Sequence, residues 1–307
     1  MARRNNKGRS VHGIVVLDKP LGGSSNRALQ QVKRLYNANK AGHTGALDPL
    51  ATGVLPLCLG EATKVSQFLL DSDKAYLARI KLGERTDTAD SEGEVIERVE
   101  AFDLDEATVK AALKTFEGEI EQVPPMYSAL KKDGQPLYKL AREGKTVERE
   151  ARPVTIYSIA LTAFDADARE IEIEVDCSKG TYIRTIADDL GQILGCGGHI
   201  IALRRLKAGA FTLADSVTLD ALEALGDTGF AALDAHLMPM DKAIEALPAV
   251  ELTAHTAEFL KHGQAVQVNK PPAEGLVRLY EEGAFIGIGV IDDDGKVAPK
   301  RLLVADA

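Results

Sequence analysis

The sequence predicts an α+β fold, with a mixed and mostly antiparallel sheet in a large first domain and a small β-rich second domain. Residues 74–83 and 170–177 alternate apolar and polar side chains, as half-buried strands do. Residues 104–116 and 181–194 repeat apolar side chains at helical spacing. Because these elements follow one another without a regular strand, helix, strand repeat, the sheet should be mainly antiparallel.

The first part of the chain carries a strand, a helix and a turn-rich loop. Residues 12–17, "HGIVVL", predict a buried strand, and Ser24 or Ser25 then caps a helix. Residues 42–53 predict a loop around Asp48, because glycine tolerates positive φ and a residue before proline avoids the α region. Two further elements are predicted after this loop, a strand over 54–59 and a helix over 61–72.

The character of the chain changes near Leu247 and Pro248. After a helix predicted over 254–262, the rest consists of short apolar segments separated by turn residues. We therefore predict a large domain over 1–248 and a small β-rich domain over 249–307.

Composition excludes several classes of protein. With 37 basic and 46 acidic residues the net charge is −9, which argues against a protein that coats nucleic acid through bulk positive charge. No apolar run is long enough for a membrane span, and the apolar segment after the basic start, 1–10, is too short for a signal peptide. The three cysteines form no C-x-x-C pair, which fits a reducing compartment. We expect a cytoplasmic protein.

Motifs for nucleotide cofactors and metals fail on inspection. The segment "EGKT" has Lys139 where a phosphate-binding loop needs its first glycine, and "GIGVID" has Asp292 where a dinucleotide fingerprint needs its third. The histidines lack the spacing of a metal site. We expect no metal and no cofactor.

The charge is unevenly distributed along the chain. Residues 87–106 hold nine acidic residues and one basic residue, whereas 131–152 hold seven basic and four acidic residues. The basic segment, with Lys131, Lys132 and Lys139, can contact phosphates, although a solvated helix face also explains such charge. If the basic segment contacts RNA, the acidic segment should face away from it.

Six segments, in this order, resemble the bacterial tRNA pseudouridine synthase B (TruB) family. They are "LDKPLGGSS", "GHTGALDPLATGVLPLCLGEATK", "KAYLARIKLGERTDTADSEG", "PPMYSALKKDGQPLYKLAREG", "CSKGTYIRTIADDLG" and "HIIALRRLKAG". The resemblance implies a pseudouridine-synthase fold for the first domain. The second domain is similar to the small PUA-type RNA-binding domain of that family.

The resemblance implies a reaction that needs a carboxylate and an aromatic surface. Conversion of uridine to pseudouridine breaks the bond from C1′ of the ribose to N1, turns the uracil and joins C1′ to C5. A carboxylate can attack C1′ or remove a proton from the ribose, and the resemblance gives this role to Asp48. It supplies Arg184 as a partner that keeps the carboxylate ionised, pairing with it at two points. It places Tyr76 against the uracil, with Tyr182 nearby.

Tyr76, Tyr182 and Arg184 each also have an ordinary explanation, as packing or surface residues. The side chains of Tyr182 and Arg184 share a site if residues 181–184 are extended, because side chains two apart then point the same way.

The resemblance also marks residues around the reacting group. His43 resembles the residue that occupies the place the extracted base leaves, or else it bonds loop backbone. Lys19 supports the catalytic loop, and Leu203 packs under the base. Lys64, predicted at a helix start, can contact RNA, with a solvated lysine as the rival explanation. Together with residues 131–152 and the Arg204-Arg205 pair, it can form a basic surface for the phosphates of the T-arm.

The functional prediction is a cytoplasmic, monomeric enzyme that isomerises uridine 55 in the T-loop of tRNA and flips this base out of its stack. The partner is the T-arm of tRNA. An alternative is a tRNA-binding folding helper without catalytic activity, for which Asp48 beside phosphates has no use. A phosphate-transferring enzyme is a third possibility, but the chain lacks its motifs.

Overall fold

The computed structural model describes residues 8–269, 271–272 and 274–303. Most of the basic start, 1–7, and the end of the predicted second domain, 304–307, lie outside the described residues.

The described strands, in chain order, are β1 Gly13–Lys19, β2 Ala41–His43, β3 Ala51–Leu59, β4 Lys74–Leu82, β5 Glu84–Thr86, β6 Val95–Arg98, β7 Gly118–Gln122, β8 Lys131–Lys132, β9 Gln135–Pro136, β10 Arg152–Asp165, β11 Glu170–Cys177, β12 Gly198–Ala208, β13 Phe211–Thr212, β14 Val217–Thr218, β15 Ala249–Leu252, β16 Val266–Gln267, β17 Gly275–Glu281, β18 Ala284–Ile291 and β19 Lys296–Leu302.

The described α-helices are α1 Ser25–Leu35, α2 Ser66–Leu70, α3 Glu106–Lys114, α4 Leu137–Arg142, α5 Ile183–Ile193, α6 Leu219–Thr228, α7 Phe230–Asp234 and α8 Ala254–Lys261, with 3₁₀ turns at Gly60–Lys64, Leu213–Asp215 and Met240–Ile244.

The main sheet is mixed and mostly antiparallel. Its strand order is β14-β1-β3-β12-β4-β11-β10-β7, and among these neighbours only β1 with β14 and β3 with β12 run parallel. The structure confirms the predicted fold class.

Three adjacent strands, β3, β12 and β4, meet at the centre of this sheet. Arg205 of β12 lies opposite Gly53 of β3 on one side and Tyr76 of β4 on the other. Gly53 has φ +100°, and a Cβ there would lie 2.2 Å from the Arg205 carbonyl oxygen, so only glycine allows this approach. The close packing positions the Arg205 side chain beside that of Tyr76.

The core of the large domain forms where α1, α3 and α5 cover the sheet. Helix α1 begins at Ser25 because the Ser24 hydroxyl accepts a hydrogen bond from Arg27 N. Its buried positions Ala28, Leu29 and Val32 recur at helical spacing and join the core with Ile186 of α5.

The predicted helix over 61–72 is interrupted. A 3₁₀ turn, Gly60–Lys64, precedes the short helix α2. The hydroxyls of Thr63 and Ser66 donate to the carbonyls of Gly60 and Thr63, and such local bonds compete with the helical ladder. Periodicity alone does not reveal this competition.

A second sheet, of order β15-β17-β18-β19-β16, forms the β-rich C-terminal part and has helix α8 beside it. Its own core includes Val250, Leu260 and Val277. However, Ile288 of β18 packs in one cluster with Ile14 of the main sheet. The two parts therefore share an apolar contact, and the boundary at residue 248 stays a prediction.

Among the described residues, each helix is either too short or too polar to cross a lipid bilayer.

Candidate active site

Asp48 lies in the loop between β2 and β3, which buried polar contacts hold in place. The Ser25 hydroxyl accepts a hydrogen bond from Leu47 N at 2.7 Å and donates one to Leu47 O at 3.0 Å. The Lys19 ammonium group, whose residue is 1% exposed, donates to the carbonyls of Pro49 at 3.4 Å and Ala51 at 2.8 Å. The loop is therefore held on both sides of Asp48.

A buried arginine joins Asp48 to a second carboxylate. Arg184 Nε lies 3.1 Å from Asp48 Oδ2, and Arg184 Nη1 lies 3.5 Å from Asp90 Oδ2. The same guanidinium donates to the carbonyls of Thr88 at 3.1 Å and Tyr127 at 2.7 Å. The expected two-point pairing with Asp48 is therefore wrong: Arg184 makes one contact with Asp48 and divides its other donors among three groups.

The surroundings of Asp48 act on its pKa in opposite directions. Burial raises the pKa of this carboxyl, Arg184 lowers it, Asp90 raises it, and Lys19 lowers it. The Asp48 side chain is 41% exposed, but it lines the cavity, whose walls limit its hydration. Arg184 therefore opposes the desolvation that would otherwise favour the neutral acid.

Two tyrosines and a leucine supply flat or apolar surfaces in the same cavity. Tyr76 extends from β4, Leu203 from β12, and Tyr182 stands just before α5; all three line the cavity with Asp48. Burial raises the pKa of Tyr76 and of Tyr182, so both phenols are neutral hydrogen-bonding groups near neutral pH.

The segment before α5 differs from the extended form that was expected. Helix α5 begins at Ile183, so Arg184 lies in its first turn, and Tyr182 just before it is extended, with φ −101° and ψ 107°. The Gln122 amide fixes this corner by accepting from Tyr182 N at 2.7 Å and donating to Tyr182 O at 3.1 Å. Because the chain changes direction here, both side chains reach the cavity without the extended segment.

The cavity has a volume of about 480 Å³. It combines one carboxylate supported by an arginine with aromatic and aliphatic surfaces. A flat heterocycle with its sugar can lie between such surfaces while the carboxylate acts on a carbon of the sugar.

The predicted RNA contacts fall into two groups. Lys131, Lys132 and Lys139 are exposed, and α4, which carries Lys139, sends Tyr138 and Arg142 into the cavity wall. The basic segment therefore borders the site, with three lysines facing solvent.

Lys64 and the arginine pair do not have the positions that were expected. Lys64 ends a 3₁₀ turn rather than starting a helix; it pairs with Glu61 and donates to the Leu302 carbonyl at 2.8 Å. Arg205 is 1% exposed, and Arg204 forms a two-point ion pair with Asp18. The side chains of Lys64 and Arg204 are thus engaged within the protein, and that of Arg205 is not on the outer surface.

The acidic segment 87–106 does not face entirely away from the site. Its first part, Thr88, Asp90 and Glu92, lines the cavity. Asp90 is buried and accepts hydrogen bonds from the Thr88 hydroxyl at 2.6 Å and from Glu92 N at 3.0 Å. This part of the acidic segment therefore lies at the cavity, where Asp90 supports Arg184, and the orientation of the segment toward RNA stays a prediction.

His43 ends β2 and lies outside the wall formed by Asp48, Tyr76 and Leu203. Its Nδ1 is buried without a hydrogen-bond partner among the described residues, and burial lowers its pKa, with Arg205 acting in the same direction. The ring is therefore predominantly neutral at physiological pH.

Sequence reasoning missed Asp90, Tyr127 and Lys74, and it placed Arg205 on the outer surface. Asp90 occurs in the segment "TDTADSEG", but no residue pattern shows that it meets Arg184. Arg205 had a usable signal: it lies two residues after Leu203 on a strand, so both side chains share one face.

Family models match three consecutive parts of the chain. "TruB family pseudouridylate synthase (N terminal domain)" matches residues 33–183, "tRNA pseudouridylate synthase B C-terminal domain" matches 184–245, and "Pseudouridine synthase II TruB, C-terminal" matches 248–303.

Curated relatives are similar along nearly their whole length. The chain is 56% identical over 313 residues to tRNA pseudouridine synthase B of Vibrio cholerae serotype O1 (strain M66-2), covering 99% of both chains. It is 54% identical over 314 residues to the protein of the same name from Serratia proteamaculans (strain 568), again with 99% of both covered.

Solved structures agree with the fold. A chain from a crystal structure of a Cbf5-Nop10-Gar1 complex superposes with a TM-score of 0.73 at 28% identity, covering 94% of this chain and 84% of that chain. A chain from an H/ACA RNP bound to a substrate RNA containing 2′-deoxyuridine gives a TM-score of 0.74 at 24% identity, covering 99% and 92%.

Proposed function

Because this chain belongs to the TruB family of pseudouridine synthases, we propose that it isomerises uridine to pseudouridine in tRNA, at position 55 of the T-loop. The relatives named tRNA pseudouridine synthase B support the reaction and the class of RNA. The position in the T-loop is our specific proposal.

The observation that carries this function is that Asp48, paired with Arg184, shares one cavity with two tyrosine rings. In the reaction, the electron pair of the C1′–N1 bond goes to the uracil, and the ring then turns. C5 bonds to C1′, C5 loses its proton, and N1 takes one up. The atoms of the nucleoside are conserved, so no oxidant or reductant is consumed.

Asp48 acts in its ionised form, either as a nucleophile at C1′ or as a base on the ribose. Arg184 favours that form against burial. Tyr76 and Leu203 hold the uracil while it turns, and Tyr182 borders the same space.

The RNA approaches over the basic segment. Lys131, Lys132 and Lys139 contact the phosphates of the T-arm, and Tyr138 and Arg142 connect this surface to the cavity. The cavity is enclosed by protein on several sides, so the uridine enters it flipped out of its stack, at a cost of a few kcal/mol. His43, beside the catalytic loop, occupies the place that the base leaves.

The test incubates purified protein with an unmodified tRNA transcript and no added cofactor, followed by mapping of pseudouridine. We expect pseudouridine at position 55 and none in a matched transcript with cytidine there. Pseudouridine at another position would reject the T-loop assignment.

Asp48→Asn separates the enzyme from the alternative folding helper. The variant should form no pseudouridine while its tRNA affinity stays within about tenfold, because the change removes a reactive charge and little contact area. A folding helper would bind tRNA and leave every uridine unchanged in both proteins. Wild-type rates in Asp48→Asn would contradict the role of Asp48.

A further inference from the structure

Two buried cations line the cavity without a carboxylate partner. Arg205 is 1% exposed and donates through Nε to the Val54 carbonyl at 2.6 Å and through Nη2 to the Gly45 carbonyl at 3.2 Å. Lys74 is 7% exposed and donates to the carbonyls of Leu69 at 3.3 Å and Leu70 at 2.9 Å, and also to that of Ser72. Neither forms an ion pair with Asp or Glu among the described residues.

Burying two cations without a carboxylate partner lowers the stability of the fold, so stability does not explain their presence. Buried Lys and Arg are almost always paired, because removing a charge from water costs several kcal/mol unless an opposite charge compensates. Neutral carbonyls solvate these two cations only in part. The Asp48 carboxylate is already opposed by Arg184, so the Arg205 charge remains available to a group that enters the cavity.

The position of Arg205 indicates which part of a substrate it meets. On β12 it lies directly opposite Tyr76 and two residues after Leu203, on the same strand face. Its guanidinium lies beside the Tyr76 hydroxyl and acts to lower the pKa of that phenol, against the larger effect of burial. The charge therefore lies beside the surfaces assigned to the uracil, whereas Arg184 serves Asp48.

We propose that Arg205 is a catalytic residue that stabilises the uracil as an anion when the C1′–N1 bond breaks, with Lys74 adding to the same positive field. This inference rests on the proposed isomerisation. When the bond electrons pass to the ring, negative charge spreads over N1 and the two carbonyl oxygens. A fixed guanidinium beside the ring stabilises this state more than the neutral uridine, and therefore lowers the barrier.

A structural role is the competing explanation, because Arg205 also holds the backbone at Val54 and Gly45. A change of leaving group separates the two. In a T-arm hairpin with 5-fluorouridine at the target position, fluorine withdraws electrons and stabilises the departing anion within the substrate itself. If Arg205 stabilises the uracil anion, its replacement should therefore slow the reaction of 5-fluorouridine less than that of uridine. If Arg205 only holds the backbone at Val54 and Gly45, its replacement should slow both substrates equally.

The experiment measures single-turnover loss of the target nucleoside in pre-folded hairpins that carry uridine or 5-fluorouridine. Loss of the nucleoside is the readout because a C5–F bond prevents the final proton loss. On uridine, Arg205→Gln should be slower by about 10² to 10³, the usual effect of removing one charge-stabilising donor. On 5-fluorouridine, the defect should shrink by about tenfold or more.

Arg278→Gln is the matched control. Arg278 also donates from Nε to a backbone carbonyl, that of Leu247 at 2.9 Å, and from Nη1 to a tyrosine hydroxyl, that of Tyr280 at 3.1 Å, outside the cavity. It should leave both rates within about threefold of wild type.

Two further variants, Arg205→Lys and Lys74→Met, test the proposal independently if Arg205→Gln does not fold. Both should show the same partial recovery on 5-fluorouridine, and Arg205→Lys should lose less than Arg205→Gln because it keeps a charge. Equal defects on both substrates, or a wild-type rate for Arg205→Gln on uridine, would overturn the role of Arg205. Absence of pseudouridine with the wild-type protein would instead reject the proposed function.

Discussion

Replacement of Arg184 by glutamine should move the acid limb of the reaction to higher pH. In the native protein Arg184 lowers the pKa of Asp48 against burial and against Asp90. Glutamine keeps a polar side chain but removes the positive charge. The pKa of Asp48 then rises further. Because the proposed reaction uses Asp48 as a carboxylate, the rate at a given acidic pH should fall.

The size of the shift follows from the contact between the two groups. At the observed 3.1 Å between Arg184 Nε and Asp48 Oδ2, Coulomb's law with an effective dielectric constant of about 20 gives about 5 kcal/mol. The Asp48 side chain is 41% exposed, so solvent screening reduces this to about 2 kcal/mol. At a pH below the pKa of Asp48 in both proteins, this difference corresponds to a rate that is lower by about 30-fold in Arg184→Gln.

The assay measures the single-turnover rate on a T-arm hairpin between about pH 4.5 and about pH 8. Carboxylates with a raised pKa titrate within roughly this interval. Arg184→Lys keeps the charge, so its acid limb should shift less, while its plateau should fall because one ammonium group cannot make the four contacts of the guanidinium.

Arg85→Gln serves as a control, because it removes an arginine that pairs with Asp188 and Glu97 outside the cavity. Its acid limb should coincide with that of the wild type. The reasoning is refuted if the acid limb of Arg184→Gln also coincides with the wild type after the plateau is normalised.

Three further predictions concern metal, stability and RNA binding. EDTA should not change the rate on a pre-folded hairpin, because no group of three or more His, Cys, Asp and Glu side chains among the described residues could hold a metal. Burial lowers the pKa of Lys74 from 10.5 to about 8, so the folded protein loses this proton at a lower pH than the unfolded chain does. The free energy of unfolding of the wild type, relative to that of Lys74→Met, should therefore rise by up to about 3 kcal/mol between pH 7.5 and pH 10.5. Urea unfolding at several pH values measures this difference. Reversing Lys131, Lys132 and Lys139 to glutamate should weaken tRNA binding by well over about tenfold and reduce its salt dependence.

Each of these predictions has an outcome that contradicts it. Loss of activity in EDTA that only a transition metal restores would show a missed site. A difference in unfolding free energy between wild type and Lys74→Met that does not change with pH would mean that Lys74 is not charged and desolvated as described. For RNA binding, the control reverses three exposed lysines outside the cavity wall, Lys110, Lys114 and Lys261. Equal weakening in both triple variants would mean that tRNA responds only to net charge.

The sequence predicted the elements whose signal is local. Half-buried strands alternate, and helix α1 has both its cap and its apolar stripe within one segment. The loop that carries Asp48 was predictable because its glycines tolerate positive φ and Pro49 keeps Asp48 out of the α region. The helix over 61–72 was wrong because hydroxyl bonds from Thr63 and Ser66 compete with a ladder that the apolar pattern favours.

The site was predictable in its parts but not in its connections. Asp48 and Arg184 are separated by more than a hundred residues, and the resemblance alone brought them together. The turn after β5 supplies two of the acceptors for the Arg184 guanidinium, the Thr88 carbonyl and the Asp90 carboxylate. These contacts determine how Arg184 is oriented toward Asp48. That turn is acidic overall, so its charge suggested a surface away from RNA, whereas Asp90 is buried as a counter-charge.

Adjacent arginines show why residue type alone does not determine exposure. Arg204 and Arg205 are identical in chemistry, yet successive side chains on a strand point to opposite faces. Arg204 meets Asp18 at a partly exposed ion pair, whereas Arg205 shares the face of Leu203 and enters the cavity. Once Leu203 was assigned to the base pocket, the period of the strand already required Arg205 to point the same way. The charge pattern of the sequence predicted that Arg205 lies on the outer surface, whereas the alternation of side chains along the strand directs it into the cavity.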